Sequence, residues 1–445
     1  MNDNAFSRRN FFRIAGTGVL GYYFSDVLQP RTLLAQTIGT NAALRNTAKS
    51  CIFIFLAGAP SQTDMWDLKE GSWTPTDLAP TPYGSMRWPQ GLLPKMGAHL
   101  DKLTIARSCL AWAAVHELGQ AWAQIARNPG GATGAIAPHI GAVVALESQA
   151  KRTPAEVLPG FIALNAGSIP TCGYLPAKYA PFGVTTASTG LATLGHPDGA
   201  ARFTRRWDLI HQLDTNRTTG ALGKAASDMN DFYDQSKALM DSPNINALFS
   251  FTTEEHDRYG ASNFGDSLVV ARNLVASGKG TRFVQATQGG WDHHSDIYDT
   301  AAAQSLFVQG KQLDDAVGAL LTDLAAMKIL DQTLVVIVSE FGRTVGALNN
   351  QGGRDHYLRN SVVFAGGGTR GGRAIGATNA QGNAVAEYGW SANRDIRPED
   401  VTCTLYSALG IDYTKVRNDD PLGRGFEYVP TAKDGGYQPI EELWT

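Results

Sequence analysis

The chain has 445 residues, with 43% apolar and 18% charged residues. That is enough apolar material for a sizeable core and excludes global disorder. A net charge of −3 gives no electrostatic ground for nucleic-acid binding. The four cysteines, Cys51, Cys109, Cys172 and Cys403, show no CxxC or zinc-knuckle spacing and read as small buried hydrophobes.

In chain order, SRRNFFR (7–13) comes first, followed by the apolar run IAGTGVLGYYF (14–24). Twin arginines, two phenylalanines and a further basic residue before a short apolar run form the pattern of a twin-arginine export signal. An ordinary amphipathic helix is the plainer reading. The run is shorter than the ~20 residues of a membrane span, so no stable span is expected after processing. A cleavage site is expected near Ala35 and Gln36. Residues 1–40 are therefore set aside as signal and linker, with the export machinery as partner and a periplasmic or extracellular destination.

CIFIFLAG (51–58) is a continuous apolar run closed by glycine, the pattern of a strand buried on both faces. Strands are also predicted over 101–108, 158–167, 281–287, 333–339 and 361–367. Helices are predicted over 117–128, from Pro138 onward, over 201–241, 266–278, 301–327 and 397–410. In the 301–327 helix, Leu306, Gly310, Leu313, Val317, Leu320 and Leu324 recur at three- and four-residue spacing. Alternating strands and helices predict an α/β fold with a mainly parallel central sheet and helices on both faces. The domain is expected to span 48–430, with a helical insertion at about 168–262 and a C-terminal tail at 431–445.

Ligands of open α/β sheets bind beyond the carboxyl ends of the strands, and polar residues gather at three such ends. Gln62, Asp64 and Asp67 follow the first strand. Asp292, His293, His294 and Asp296 follow the strand at 281–287. Glu340 and Arg343, then Arg354, Asp355 and His356, follow the strand at 333–339. Carboxylates and imidazoles without cysteine suit zinc, manganese or iron, or calcium if oxygen dominates. An arginine beside them suits an oxyanion, because its planar fork matches two oxygens. Each cluster also has a plainer reading. Asp64 and Asp67 could cap a turn, the DHHSD loop could be a solvated loop, Glu340 and Arg343 could be a structural ion pair, and His116 could be an ordinary first-turn residue. GGGTRGGRAIG (366–376) lacks the strand–GxGxxG–helix context and reads as a turn or extended loop, which weakens a redox reading.

These residues carry a resemblance. AGAPSQTDMWDLK, ARSCLAWAAVHELGQAW, GGWDHHSD, VVIVSEFGRT and GGRDH together resemble the DUF1501 family, related to the alkaline phosphatase/sulfatase superfamily, over most of the mature chain. The resemblance implies an alkaline phosphatase-like, two-metal hydrolase fold. It implies one metal on Asp292, His294 and His356. For the second metal, Glu340 falls where an Asp is usual and Phe341 where a His is usual, while Ala57 and Gly58 stand where the first strand should present an acid. Asp64 or Asp67 would have to reach back. Cys109 lacks the Cys-x-Pro-x-Arg context of a formylglycine nucleophile. His116 then becomes a candidate metal ligand or catalytic group, with a metal-bound hydroxide as nucleophile and Arg343 binding the anion or bracing Glu340. The expectation is an exported hydrolase of phosphate or sulfate esters, of small-molecule or saccharide origin, using zinc, manganese or calcium. The alternative is a non-catalytic binding or scaffold protein on a degenerate alkaline phosphatase-like fold.

Overall fold

Eight strands form the main sheet: β1 Ser50–Leu56, β2 Leu103–Leu110, β3 Phe161–Leu164, β4 Phe182–Val184, β5 Phe283–Gln288, β6 Thr333–Val338, β7 Arg359–Gly366 and β8 Arg373–Ile375. Their order is β8-β2-β7-β6-β1-β5-β3-β4. Every neighbouring pair is parallel except the two made by β7, so seven strands run one way and β7 alone runs against them. The computed structural model describes residues 44–192, 194, 198–214 and 223–445. The export-signal pattern at 7–13 and the expected cleavage site lie outside them. All described residues belong to the unit Leu44–Thr445.

The longer helices are α1 His116–Ile125, α2 Ile140–Ser148, α3 Ala200–Asp214, α4 Gly223–Asp241, α5 Asn263–Ala276, α6 Leu306–Ala326 and α7 Pro398–Ala408. No helix among the described residues is long and apolar enough to cross a membrane. Period-two alternation sends the side chains of β1 to opposite faces. Ile52, Ile54 and Leu56 join a core with Val269 of α5 and Val317 of α6. Cys51, Phe53 and Phe55 join a second core with Val143 of α2 and Leu405 of α7. β6 divides in the same way, Val335 and Ile337 to the first core and Leu334, Val336 and Val338 to the second. Each fully buried side chain of this kind contributes roughly 1.5–3 kcal/mol, so the central strands anchor the polar loops at their ends.

Two stretches differ from expectation. Residues 170–200 contribute β4, which extends the sheet beyond β3; three residues with glycine in the middle are too short to show alternation in sequence. Residues 431–445 do not trail away: Ile440 and Leu443 are fully buried in the second core. Cys109 is buried in β2, and burial pushes its thiol well up, so it is no nucleophile.

The direction of β7 decides where the site forms. Because it is antiparallel, its start lies at the same sheet edge as the carboxyl ends of β1, β2, β5 and β6. The segment entering β7, His356–Tyr357, pairs with Gly342–Arg343 just beyond β6, His356 opposite Arg343. Five adjacent strands thus deliver polar loops to one edge.

His139 caps α2: its Nδ1 accepts from the Gly141 backbone N–H at 2.9 Å. The ring is fully buried and stacks on Phe161 with centroids 4.7 Å apart. Burial holds its pKa down to about 3. The unfolded chain binds a proton near pH 6.5 and the folded one refuses it, so this residue's contribution is present above about pH 6.5 and is lost as pH falls. Between pH 7.5 and 5.0 it should cost roughly 2 kcal/mol. Urea unfolding at the two pH values is expected to show that loss in the wild type and a shallower one in His139→Asn, which keeps a capping acceptor without the titration.

Candidate metal centre

Three imidazoles and one carboxylate meet at the sheet edge. His116 is the first residue of α1, reached by the loop after β2. Asp292 and His294 lie in the loop after β5, and His356 leads into β7. Asp292 Oδ1 is 3.4 Å from His116 Nε2, 3.2 Å from His294 Nε2 and 3.6 Å from His356 Nε2. The two nitrogens His294 Nε2 and His356 Nε2 are 2.9 Å apart. His116, Asp292 and His356 form the tightest group, with ligand atoms all within 4.8 Å of one another; His294 closes it through its contacts to Asp292 and His356.

The other ring nitrogen of each histidine is held by an oxygen acceptor. His116 Nδ1 is 2.9 Å from Glu340 Oε1, His356 Nδ1 is 2.9 Å from the Ala114 carbonyl, and His294 Nδ1 is 3.2 Å from Asp355 Oδ1. A carbonyl and two carboxylates supply no proton, so Nδ1 is the donor in all three rings. In neutral rings the Nε2 lone pairs would then face one another and Asp292, with Arg343 Nη1 3.3 Å from His294 Nε2. His116 Nε2 is buried and has no hydrogen-bond partner. Such an arrangement is repulsive until a cation or a proton enters it. Carboxylate or carbonyl at Nδ1 with Nε2 free is also how metal-binding histidines are oriented. In a tetrahedral zinc site with bonds of about 2.05 Å, ligand-to-ligand edges are about 3.3 Å. Four of the six edges are known, at 2.9 to 3.6 Å, and lie around that value; His116, Asp292 and His356 are the compact set that fits an ion, with His294 beside them.

The surrounding shell is stiff. Glu340 is buried and accepts at Oε1 from Gly58 N (2.8 Å), His116 Nδ1 (2.9 Å) and Gln120 Nε2 (3.1 Å). The Ser339 hydroxyl lies 2.7 Å from its Oε2. Burial alone would raise this carboxyl, but these donors hold it below the usual range. The hydrogen bond to Glu340 in turn raises the His116 pKa against the effect of burial. Gly58 makes the junction possible. It sits at φ +110°, and a Cβ there would lie 2.6 Å from the Asp292 nitrogen. Gly119 has a similar duty, since a Cβ would meet Glu340 and Phe341 at 3.0 and 3.2 Å.

Several expected roles change. Glu340 lies behind the cluster, with its Oε1 on His116 Nδ1, where it orients that ring. Arg343 neither pairs with Glu340 nor reaches solvent. Its Nε donates to Ala59 O, its Nη1 faces Arg354 O and His294 Nε2, and its Nη2 donates to Gly58 O and Asp292 Oδ1. Four of its N–H donors go to oxygens and the fifth, on Nη1, faces His294 Nε2 at 3.3 Å, so Arg343 positions Asp292 and borders the cluster. Burial tends to raise the Asp292 carboxyl, and the Arg343 hydrogen bond and charge, together with the charges of His116 and His294, hold it below its ordinary value. Asp64 does not reach back to the centre. It is fully buried in a two-point pair with Arg354, Nε to Oδ2 at 2.8 Å and Nη2 to Oδ1 at 3.1 Å, and it accepts from Tyr298. Asp67 accepts from Thr378 and Lys69 instead.

Sequence reasoning missed Gln120 and Ser339, and it placed Gln62 at the working edge without its role. Gln120 was findable, since it lies four residues after His116 on the same helix face. The role of Gln62, which brackets the Arg343 backbone with 2.7 Å bonds to its N–H and its carbonyl, left no signal. His293, between the two residues of the cluster, is buried away from it, and burial lowers its pKa to about 4.

With this geometry in hand, known proteins can be compared. The family profile described as a protein of unknown function, DUF1501, matches residues 48–433. The chain belongs to that family. No curated protein matches this DUF1501 chain in sequence. Among solved structures, Ps i-CgsB in complex with k-i-k-neocarrahexaose is similar at 12% identity and a TM-score of 0.42, covering 88% of this chain and 79% of its own. The PsFucS1 sulfatase from Pseudoalteromonas sp. gives 12% and 0.39, covering 82% and 68%. The phosphonate monoester hydrolase SpPMH from Silicibacter pomeroyi gives 10% and 0.41, covering 81% and 73%. Similarity at this level says nothing of activity, and the description of this fold stands on its own sheet.

Replacing Arg343 with Met should cost roughly 3–5 kcal/mol, because it strips a buried guanidinium from three carbonyls and a carboxylate. Urea unfolding checks this; a loss below about 1 kcal/mol would show that Arg343 is not a structural brace.

Proposed function

We propose that this chain is an exported, metal-dependent hydrolase of phosphate or sulfate esters on an alkaline phosphatase-like fold. One observation carries the reading: three Nδ1-anchored imidazoles gather their Nε2 atoms within 3.2 to 3.6 Å of Asp292 Oδ1. Asp292, His116, His294 and His356 would hold the ion. Three nitrogens and one carboxylate suit zinc, manganese or iron, whereas calcium takes six to eight oxygens, so calcium drops out of the expected set. A bound divalent ion supplies an activated water and counter-charge for an oxyanion. The chain's own groups do the rest. Glu340, Asp355 and the Ala114 carbonyl fix the imidazoles, and Arg343 fixes Asp292. The half-exposed side chains of Asp292 and His294 leave one side of the centre open to a substrate. The twin-arginine pattern at 7–13 supports export to the periplasm or beyond.

A second reading has its own support. Four protein donors, were all to bind one ion, would fill a tetrahedral shell, which is the habit of structural rather than catalytic zinc sites. That favours a non-catalytic binding or scaffold protein.

Protein purified from folded, export-competent cells is expected to carry divalent metal by elemental analysis. Asp292→Ala and His356→Ala should each lower metal affinity by at least about tenfold while far-UV circular dichroism is unchanged. Loss of ester turnover in step with the metal supports the hydrolase. Full metal occupancy with no turnover across a panel of phosphate and sulfate esters supports the binding protein, and a metal-free native chain excludes both forms of the site. In cell fractions, changing Arg8 and Arg9 to Lys should hold the chain in the cytoplasm; unchanged export would remove the twin-arginine part.

A further inference from the structure

We infer that the centre takes one divalent ion only, because the Glu340–His116 couple, sealed under Phe341, closes that flank of the cluster to a second. The inference rests on the metal reading above. Two-metal centres keep their ions about 3.5–4 Å apart and share anionic ligands between them. Two further carboxylates touch the imidazole cluster, exposed Asp355 on His294 Nδ1 and Glu340 on His116 Nδ1, and the one on the Phe341 side is Glu340. Its side chain is wholly buried, and its Oε1 already receives three N–H donors while Oε2 faces the Ser339 hydroxyl. A carboxylate offers about four acceptor positions; the three donors fill Oε1, and Oε2 is enclosed with the Ser339 hydroxyl, which also lies 2.8 Å from the Leu56 carbonyl. A cation at Glu340 would have to displace the Gly58 N–H, the Gln120 amide and the His116 ring together.

The walls of that place are equally closed. Phe341 is fully buried, with its ring 5.0 Å from that of His116 and 4.6 Å from that of His356. The end of β1 brings no acid: Gly58 turns its N–H to Glu340 and its carbonyl to Arg343. Asp64, the nearest acid along that loop, is locked to Arg354.

A single ion limits the charge the centre can meet. Arg343 matches the Asp292 charge and keeps four of its N–H donors on oxygens, the fifth facing His294 Nε2. Arg354 spends its five N–H groups on Asp64, Tyr298 and the carbonyls of Thr344 and Gly346. The group at the mouth is the exposed carboxylate of Asp355, which repels a dianion. Exposed Trp112, Val115 and Leu358 flank the same two segments that carry His116 and His356. The ester that fits carries one negative charge and an apolar group, as an aryl sulfate or a phosphodiester does. A phosphate monoester dianion is the poor match.

The test needs only the full-length wild-type chain. Equilibrium dialysis against zinc, with metal and protein counted, should give one ion per chain. Two ions per chain would overturn the inference, and none would overturn the metal reading and this inference with it. Glu340→Gln should keep the single ion with affinity weakened about 10–100-fold; a drop from two ions to one in this variant would point to Glu340 as a ligand of a second ion. Calorimetric titration of the zinc-loaded chain with phenyl sulfate, diphenyl phosphate and phenyl phosphate reads the charge argument without turnover. The first two should bind at least about tenfold more tightly, equivalent to 1.4 kcal/mol. Equal or tighter binding of phenyl phosphate would refute the single-charge match.

Discussion

The structure turns on how three histidines are held. Glu340, Asp355 and the Ala114 carbonyl each take an Nδ1 proton, and that choice sends every Nε2 lone pair to Asp292 Oδ1. Left neutral and empty, the cluster sets lone pair against lone pair at 2.9 Å and against a carboxylate at 3.2–3.6 Å. Burial keeps water from relieving His116 Nε2. Buried polar groups without partners cost of order 1–3 kcal/mol each, so the arrangement is costly unless something positive completes it. A divalent ion does so for all four groups at once.

The fold supplies this geometry through one departure from parallel order. With β7 reversed, the segment carrying His356 enters the sheet at the edge where β2, β5 and β6 release His116, Asp292 and Glu340. Gly58 then lets the end of β1 close against the Asp292 backbone while joining Glu340 to Arg343. The core beneath is apolar on both faces, and its rigidity is what holds a lone-pair cluster in place. The contrast between Arg343 and Asp292 shows the division of labour: the guanidinium is wholly buried, and the carboxylate it braces remains half open to solvent.

Much of this was legible in the sequence. Continuous apolar runs such as CIFIFLAG and TLVVIV give buried strands, and the polar residues after them mark the working edge. Asp292, His294, His356 and His116 were all visible as candidates because imidazoles and carboxylates cluster beside strand ends. What the sequence hid is who faces whom. Asp64 looks like a ligand until the structure seats it on Arg354, a partner 290 positions away. Glu340 and Arg343, three residues apart, suggest an ion pair. In the fold they turn to different partners, because the small ribbon Gly342–Arg343 redirects the chain. β4 escaped notice because three residues carry no periodicity. Long-range partner choice is a property of topology, and local spacing does not encode it.

X-ray absorption at the metal edge of the isolated, full-length protein tests the central claim most directly. The account predicts a first shell of nitrogen and oxygen donors at about 2.0–2.2 Å with the multiple-scattering signature of about three imidazoles, no sulfur, and no second metal within about 4 Å. A shell built of oxygen alone, or a resolved metal–metal distance, would contradict it.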